Sequence, residues 1–234
     1  MMIKTKQIAL ASLCVTLMMS SCLFDKNRPK NEMTSIGIVT VKTEPTKKVV
    51  YLQLDEKTTL LPTNIKAHPF KNKEVRAVVN YKEDKKAPHD GFTKAVYVNW
   101  IKDILTKEMV QSTDKNDLKY GNDPIGLIKN DCLVEDGYLT LNFAARYGDA
   151  KKPHSINLLY GVDPQDPYTL ELRHDVKEDK NGRMVAKNLV AFSLKQLPST
   201  KGEKKVLKIR FRTETGSQTI ELDYISGKKE EPKH

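Results

Sequence analysis

From residue 35 onward the chain is dominated by an alternation of apolar and polar side chains with a period of two, the pattern of half-buried strands. Ile36, Ile38 and Thr40 fall on one parity, Val39 and Val41 on the other. Residues 49–54 (VVYLQL), 75–81 (VRAVVNY) and 95–100 (AVYVNW) predict further strands, separated by lysine-rich segments that contain Pro45, Pro62, Pro69 and Pro88. Short, unevenly spaced strands joined by such loops predict a small β-barrel over residues 35–110. Trp100, Ile104 and Leu105 also share helical spacing, so a helical turn within 100–109 stays open on the sequence.

The second half alternates more cleanly. Leu139, Leu141 and Phe143 oppose Thr140 and Asn142, and Ile156, Leu158 and Tyr160 repeat the pattern. Leu170 and Leu172 oppose Glu171 and Arg173; Leu207, Ile209 and Phe211 oppose Lys208, Arg210 and Arg212. Ile220, Leu222 and Tyr224 oppose Glu221 and Asp223. Asn181-Gly182 is a two-residue hairpin signal, because both positions tolerate positive φ, and Gly216 marks another turn. One apolar and one polar face on several strands predicts an antiparallel β-sandwich over residues 125–226. The densest cluster of turn formers, residues 111–124 (QSTDKNDLKYGNDP), predicts the linker between the halves. Residues 227–234 read as a disordered charged tail. The fold class expected is therefore all-β.

The amino terminus departs from this pattern. Lys4 and Lys6 precede twelve uncharged residues, 8–19 (IALASLCVTLMM), which is the layout of a secretory signal. The run is too short to span a membrane, which takes about 20 apolar residues. Met19-Ser20-Ser21-Cys22 resembles a lipobox, in which a large apolar residue and two small ones precede the cysteine that accepts a diacylglyceryl group. The resemblance implies cleavage of residues 1–21, a signal helix, and lipid attachment at Cys22. Each buried methylene contributes about 0.8 kcal/mol, so two or three acyl chains hold a protein where one is marginal. Residues 22–34 then read as a lipidated tether. The expected address is the cell envelope, with the outer membrane favoured. In one bacterial phylum, acidic runs just after the lipidated cysteine direct lipoproteins to the cell surface. Here only Asp25, followed by Lys26, stands in that place, so periplasmic and surface faces are both open.

Cleavage would leave 213 of the 234 residues, enough for two modest domains, and lower the formal charge from +10 to +8. A basic balance invites a nucleic-acid reading, but its make-up opposes one. Only seven of the forty basic residues are arginine, the residue suited to forked phosphate and base contacts, and the lysines are dispersed among thirty acids. A solvated surface accounts for the charge, with a weak attraction to anionic envelope polymers as the remainder, and no nucleic-acid partner is expected. Cys14 leaves with the signal and Cys22 is taken by lipid, so Cys132 has no partner for an internal disulfide. Cys132 reads as a buried, inert thiol rather than a nucleophile.

Gly121-Asn122-Asp123-Pro124-Ile125, Glu135-Asp136-Gly137-Tyr138-Leu139 and Asp166-Pro167-Tyr168 leading into Glu171-Leu172-Arg173-His174 carry a resemblance. In order and spacing, and together with the lipobox, they resemble the NigD-like lipoproteins of Bacteroidota, over nearly the whole mature chain. The resemblance implies an N-terminal OB-type barrel followed by a C-terminal β-sandwich, in agreement with the pattern above. Cys132 is a departure, since members of that family usually carry tryptophan there. The family takes its name from a gene beside a bacteriocin gene, and the immunity role that this implies rests on position alone.

The tempting side chains have plainer readings. His154, and His174 with Asp175, invite a metal, yet no paired Cys/His spacing supports one, and the parity of His174 places it on a buried face bonded to backbone. Glu135-Asp136 before Gly137 reads as a β-turn rather than an acid pair. No nucleophile elbow or phosphate loop occurs, so no catalytic residue, metal or cofactor is expected. Tyr97 and Trp100 are the candidate ligand face of the barrel, although packing in the core or a domain interface is the preferred account of both rings. Three functions remain. The first is a non-enzymatic module, anchored to a membrane by lipid, that binds an envelope protein, with bacteriocin immunity as one version. The second is a glycan-binding module that uses Tyr97 and Trp100. The third is an envelope hydrolase with a site assembled from distant residues.

Overall fold

The computed structural model describes residues 34–85, 87–88, 90–113, 117–149, 151–180 and 182–227. The signal, the lipobox with Cys22, Asn181 and the tail beyond Gly227 lie outside the described residues. The alternation is realised as strands almost throughout. Strands β1 (Ser35–Thr43), β2 (Val50–Gln53), β3 (Thr59–Pro62), β4 (Val75–Glu83) and β5 (Lys94–Asp103) close into a barrel of order β1-β2-β3-β5-β4. Every neighbouring pair is antiparallel except β3–β5, the arrangement of an OB barrel. Closure removes free sheet edges, and one parity of each strand fills the interior: Val39 and Val41, Leu52, Leu60, Ala77 and Val79, Val96 and Val98. The stretch left open between strand and helix is extended, since β5 continues through Trp100 to Asp103.

The chain leaves the barrel at Ile104, ahead of the turn-rich segment at 111–124. The sandwich is built from β6 (Leu105–Glu108), β7 (Val110–Gln111), β8 (Gly126–Leu127), β9 (Leu133–Glu135), β10 (Tyr138–Tyr147), β11 (Ser155–Tyr160), β12 (Thr169–Asp175), β13 (Met184–Ser193), β14 (Lys205–Thr213) and β15 (Gly216–Tyr224). One sheet runs β6-β13-β10-β8, with β9 also on β10; the other runs β15-β14-β12-β11-β7. Residues 105–110, assigned to the barrel on pattern alone, and Gln111, assigned to the linker, thus pair with strands of the sandwich. β6 pairs in parallel with β13 and β7 in parallel with β11, so the chain crosses between sheets at the buried Met109. Main-chain pairing holds β6 there while Leu105 points to solvent, which no hydrophobic pattern can announce. The turn formers instead lie along the second sheet. Gly121, at φ 75°, passes so close to β12 that a Cβ would fall 2.5 Å from the His174 carbonyl oxygen. Between the sheets pack Leu139, Leu141, Val190 and Phe192 from one side and Leu158, Leu170, Leu172, Leu207 and Ile209 from the other.

The hairpin expected at Asn181-Gly182 does not form. β12 and β13, which flank it, lie in different sheets, and the connection crosses the sandwich. Gly182 answers a different constraint: a Cβ there would sit 2.8 Å from the backbone of Arg146 and Tyr147. Close approach, rather than a turn with positive φ, requires glycine at this point.

Barrel and sandwich are joined by a short polar junction. Arg76 projects from the outer face of β4 yet is wholly buried. Its Nη1 donates to Thr40 Oγ1 at 3.0 Å and its Nη2 to Glu135 Oε2 at 3.2 Å, the latter from the sandwich. Its own backbone fixes the exit strand, because Ile104 N–H donates to Arg76 O at 2.8 Å and Arg76 N–H to Thr106 Oγ1 at 3.0 Å. Asp136 and Gly137, at φ 51° and 76°, make the tight turn between β9 and β10. This turn brings Asp136 to Lys42 at 2.7 Å, and Tyr138 donates its hydroxyl to Glu74 at 2.8 Å. Burial pushes the Arg76 guanidinium below and the Glu135 carboxyl above their ordinary values, in spite of their mutual attraction. For both groups desolvation therefore outweighs the ion pair, and the pair fixes how the domains meet more than it stabilises them.

That imbalance has a measurable signature. Glu135→Leu alone, which strands a buried guanidinium, is expected to cost about 3 kcal/mol in urea unfolding. Arg76→Met combined with Glu135→Leu is expected to cost clearly less than the two single changes added together. Strict additivity of the two would contradict the coupling.

Candidate functional site

Tyr97 and Trp100 stand three residues apart on β5, and strict alternation would send them to opposite faces. An irregularity in the β4–β5 register changes this. Tyr97 pairs with Lys82, Val98 with Tyr81 and Trp100 with Asn80, so Asn99 is the extra residue of a bulge. Paired residues share a face, and both rings point outward, 44% and 47% exposed. The packing preferred for them from sequence is thereby corrected: Val96, Val98 and Ile101 take the inward positions. The Lys82 ammonium lies 5.4 Å from the Tyr97 ring centroid, and Asn99 donates to Asn80 at 2.7 Å. Ile36, paired with Asn80 from the β1 side, extends the same row and is 69% exposed.

A concavity opens at the junction of barrel and sandwich. It encloses about 670 Å³ and is lined by Glu74, Glu108, Asp136, Tyr138, Lys195 and Tyr224 among others. Glu74 and Glu108 line it with Lys195 opposite, and the Asp136 carboxylate in its wall is already paired with Lys42, on a chain whose formal charge is +10. Lys195 and Gln196 donate to Glu108 at 2.8 and 2.7 Å and hold its carboxyl below the ordinary range. Burial, followed by the Glu74 carboxylate, pushes the Tyr138 hydroxyl well above an ordinary phenol, so it stays a donor. Glu74, Glu108 and Lys195 carried no signal in the sequence, whereas Asp136 and Tyr138 stood in a segment that carries the resemblance. Glu74 and Tyr138 are 64 positions apart, and only the docked hairpin brings them together.

The histidines form a buried chain of hydrogen bonds inside the sandwich. His174 Nδ1 bonds to the Pro124 carbonyl oxygen at 3.1 Å and its Nε2 to His154 Nδ1 at 3.0 Å. His154 Nε2 reaches Asp179 Oδ2 at 3.1 Å, and its ring stacks on Tyr147 with centroids 4.1 Å apart. Asp179 also accepts the Gly148 and Asp149 N–H groups at 2.8 and 3.1 Å. Asp175 stands apart from the chain and caps the Lys177 N–H at 2.7 Å. Every ring nitrogen of the pair has a protein partner, and among the described residues no group of three or more His, Cys, Asp or Glu side chains could hold a metal. The network ties the 121–125 segment and the 148–149 loop to β12. Cys132 is buried, donates to Ile128 O at 3.3 Å, and burial raises its thiol. Asp179 had no sequence signal, because its role depends on a fold that sets it beside residues thirty positions away.

Comparison with known proteins follows this architecture. Residues 38–104 match the NigD-like N-terminal OB domain, and residues 108–224 match the NigD-like C-terminal beta sandwich domain. A candidate toxin-related protein from Parabacteroides distasonis is similar at 34% identity and a TM-score of 0.70, over 83% of this chain and 94% of that one. A NigD-like immunity protein from Bacteroides caccae shares the fold at 17% identity and a TM-score of 0.58, over 84% and 99%. So does a candidate lipoprotein from Bacteroides fragilis, at 13% identity and a TM-score of 0.57, over 85% and 100%. A search of curated proteins finds no match.

The buried chain predicts acid sensitivity. Burial holds His174 below its ordinary value, so below the unfolded value near 6.5 the unfolded chain takes up a proton that the folded chain refuses. Burial pushes the Asp179 carboxyl up, but hydrogen bonds from Gly148, His154 and Asp149 outweigh it and hold the carboxyl below its ordinary value. The stabilisation from Asp179 is present above the unfolded value and lost as pH falls through the folded one. The melting temperature is therefore expected to fall between pH 7 and pH 5 through His174, and to fall again in stronger acid. A His174→Gln chain melted over the same range should lack the first decline; an unchanged profile would exclude this origin.

Proposed function

The chain belongs to the NigD-like family, and from that premise we propose that it is a non-enzymatic lipoprotein of the cell envelope that captures a protein partner in the cleft between barrel and sandwich. One observation carries the reading: a cleft bearing Glu74 and Glu108 on an otherwise basic chain. Glu74 and Glu108 suit a basic segment, while the half-buried Tyr138 ring offers apolar contact. Buried aromatic anchors with a polar rim are the usual source of binding energy in protein interfaces. The lipobox at Met19-Ser20-Ser21-Cys22 supports anchorage through Cys22. The names of the relatives, an immunity protein and a candidate toxin-related protein, favour protection against a bacteriocin as the form of this binding.

The test is cross-linking in living cells of the native host, with the protein expressed under its own signal and a Cys22→Ser chain as unanchored control. A specific envelope protein is expected with the wild type and not with the control. Charge reversal by Glu74→Lys together with Glu108→Lys is expected to weaken capture about tenfold or more, equivalent to about 1.4 kcal/mol. Recovery of the same partner at equal yield from the reversed cleft would remove the cleft from the reading. Recovery of nothing, with anchoring intact, would remove the partner.

A further inference from the structure

The outer surface shared by β1, β4 and β5 is divided along its length. At one end Thr40 and Arg76 are covered by the sandwich. At the other, Ile36, Tyr97 and Trp100 are exposed. Ile36, Asn80 and Trp100 occupy one register row, so the ring and the aliphatic side chain stand two strand spacings, about 10 Å, apart. Lys82 lies over Tyr97 on the neighbouring row, and Lys102 follows toward the sandwich. An exposed indole, phenol and isoleucine, set around Asn80 and rimmed by ammonium groups, form an amphipathic face.

We infer that this face rests on the headgroup layer of the membrane that carries the lipid on Cys22. The inference builds on the anchored-lipoprotein reading proposed above and adds an orientation to it. Two observations select a lipid surface as the occupant. The first is chemical. Tryptophan and tyrosine partition to the boundary between hydrocarbon and headgroups, where an apolar body and a polar tip are both satisfied, and lysines beside them meet anionic headgroups. The second is where the chain enters. Ile36 is the second residue of β1, and only residues 23–34 separate Ser35 from Cys22. Twelve residues reach at most about 40 Å when fully extended. The tether therefore joins the barrel at the end of β1 that bears the exposed rings. A tether this short gives an effective concentration of order millimolar, so even a weak intrinsic affinity of the face for lipid is enough to dock it. Docking through this end turns the Arg76 end, and with it the carboxylate-lined cleft beside Glu74, away from the bilayer.

Trp100 is the single tryptophan of the chain and reports on the face directly. The full chain is expressed in its native host, purified in its lipidated form and reconstituted into vesicles of phosphatidylethanolamine and phosphatidylglycerol. Mass spectrometry of the Cys22 peptide reads the anchor independently. Relative to the Cys22→Ser chain in solution, the lipidated chain is expected to emit at shorter wavelength, to lose quenching by iodide, and to gain quenching by lipids brominated on their acyl chains. Ile36→Glu changes a side chain that is mostly in solvent already, and is expected to return all three signals to their solution values without shifting the melting temperature. Acylated Cys22 with Trp100 as open to iodide in vesicles as in solution would overturn the inference and leave the anchor standing. Absence of acyl chains on Cys22 would overturn both. Shielding of Trp100 by added oligosaccharide, with none by vesicles, would assign the face to a glycan and likewise overturn it.

Discussion

The structure turns on one guanidinium. Arg76 lies on the outer parity of a barrel strand, where alternation would leave it in water, and is instead sealed under the sandwich. A buried charge with only part of its hydrogen-bonding capacity filled tolerates few arrangements. Thr40 and Glu135 must both be in place, and the chain must leave the barrel at Ile104 so that Thr106 meets the Arg76 backbone. These requirements fix the position of the β9–β10 hairpin, the path of the exit strand and the walls of the cleft between the domains. Desolvation outweighs attraction at this contact, so its contribution is to the uniqueness of the arrangement.

The segments that carry the family resemblance prove to be the fastenings of this fold. Asp123 accepts the Val176 N–H and Pro124 the His174 ring, pinning the 121–125 segment to β12. Glu135, Asp136 and Tyr138 are the sandwich side of the junction. Asp166 caps Tyr168 and Thr169 and holds Lys208 on the neighbouring strand. Such motifs identify the fold closely while saying little about a ligand. Relatives named for immunity and for toxins can accordingly share this frame at low identity.

The two surfaces proposed for function differ in this respect, since the cleft shares Asp136 and Tyr138 with the junction and the exposed rings take no part in it. The cleft gathers carboxylates on a basic chain, and the barrel end beside the amino terminus gathers exposed rings. If the rings meet lipid, the same strand pair that anchors the sandwich at one end presents the membrane contact at the other. The two proposed contacts are then held apart along β4.

Much of this was legible in the sequence. Period-two alternation gave the strands, the two cores and the all-β class, because each side chain must choose between core and solvent whatever its strand pairs with. The acid pair before Gly137 read correctly as a turn, since its backbone demands are local, and the buried parity of His174 was visible for the same reason. Other features had no local signature. Leu105–Glu108 joins the sandwich through main-chain bonds while Leu105 faces water, so no side-chain pattern marks the transfer. Gly182 serves close packing against Arg146 and Tyr147 rather than a hairpin, and the two uses look alike in a sequence. The bulge at Asn99 brings Tyr97 and Trp100 to one exposed face against the parity count, because one inserted residue reverses every later orientation. Sequence alone determined which way side chains face along each uninterrupted strand. Tertiary structure decided which strands meet, where the parity slips and which distant charges share a cleft, because those choices depend on contacts between residues far apart in the chain.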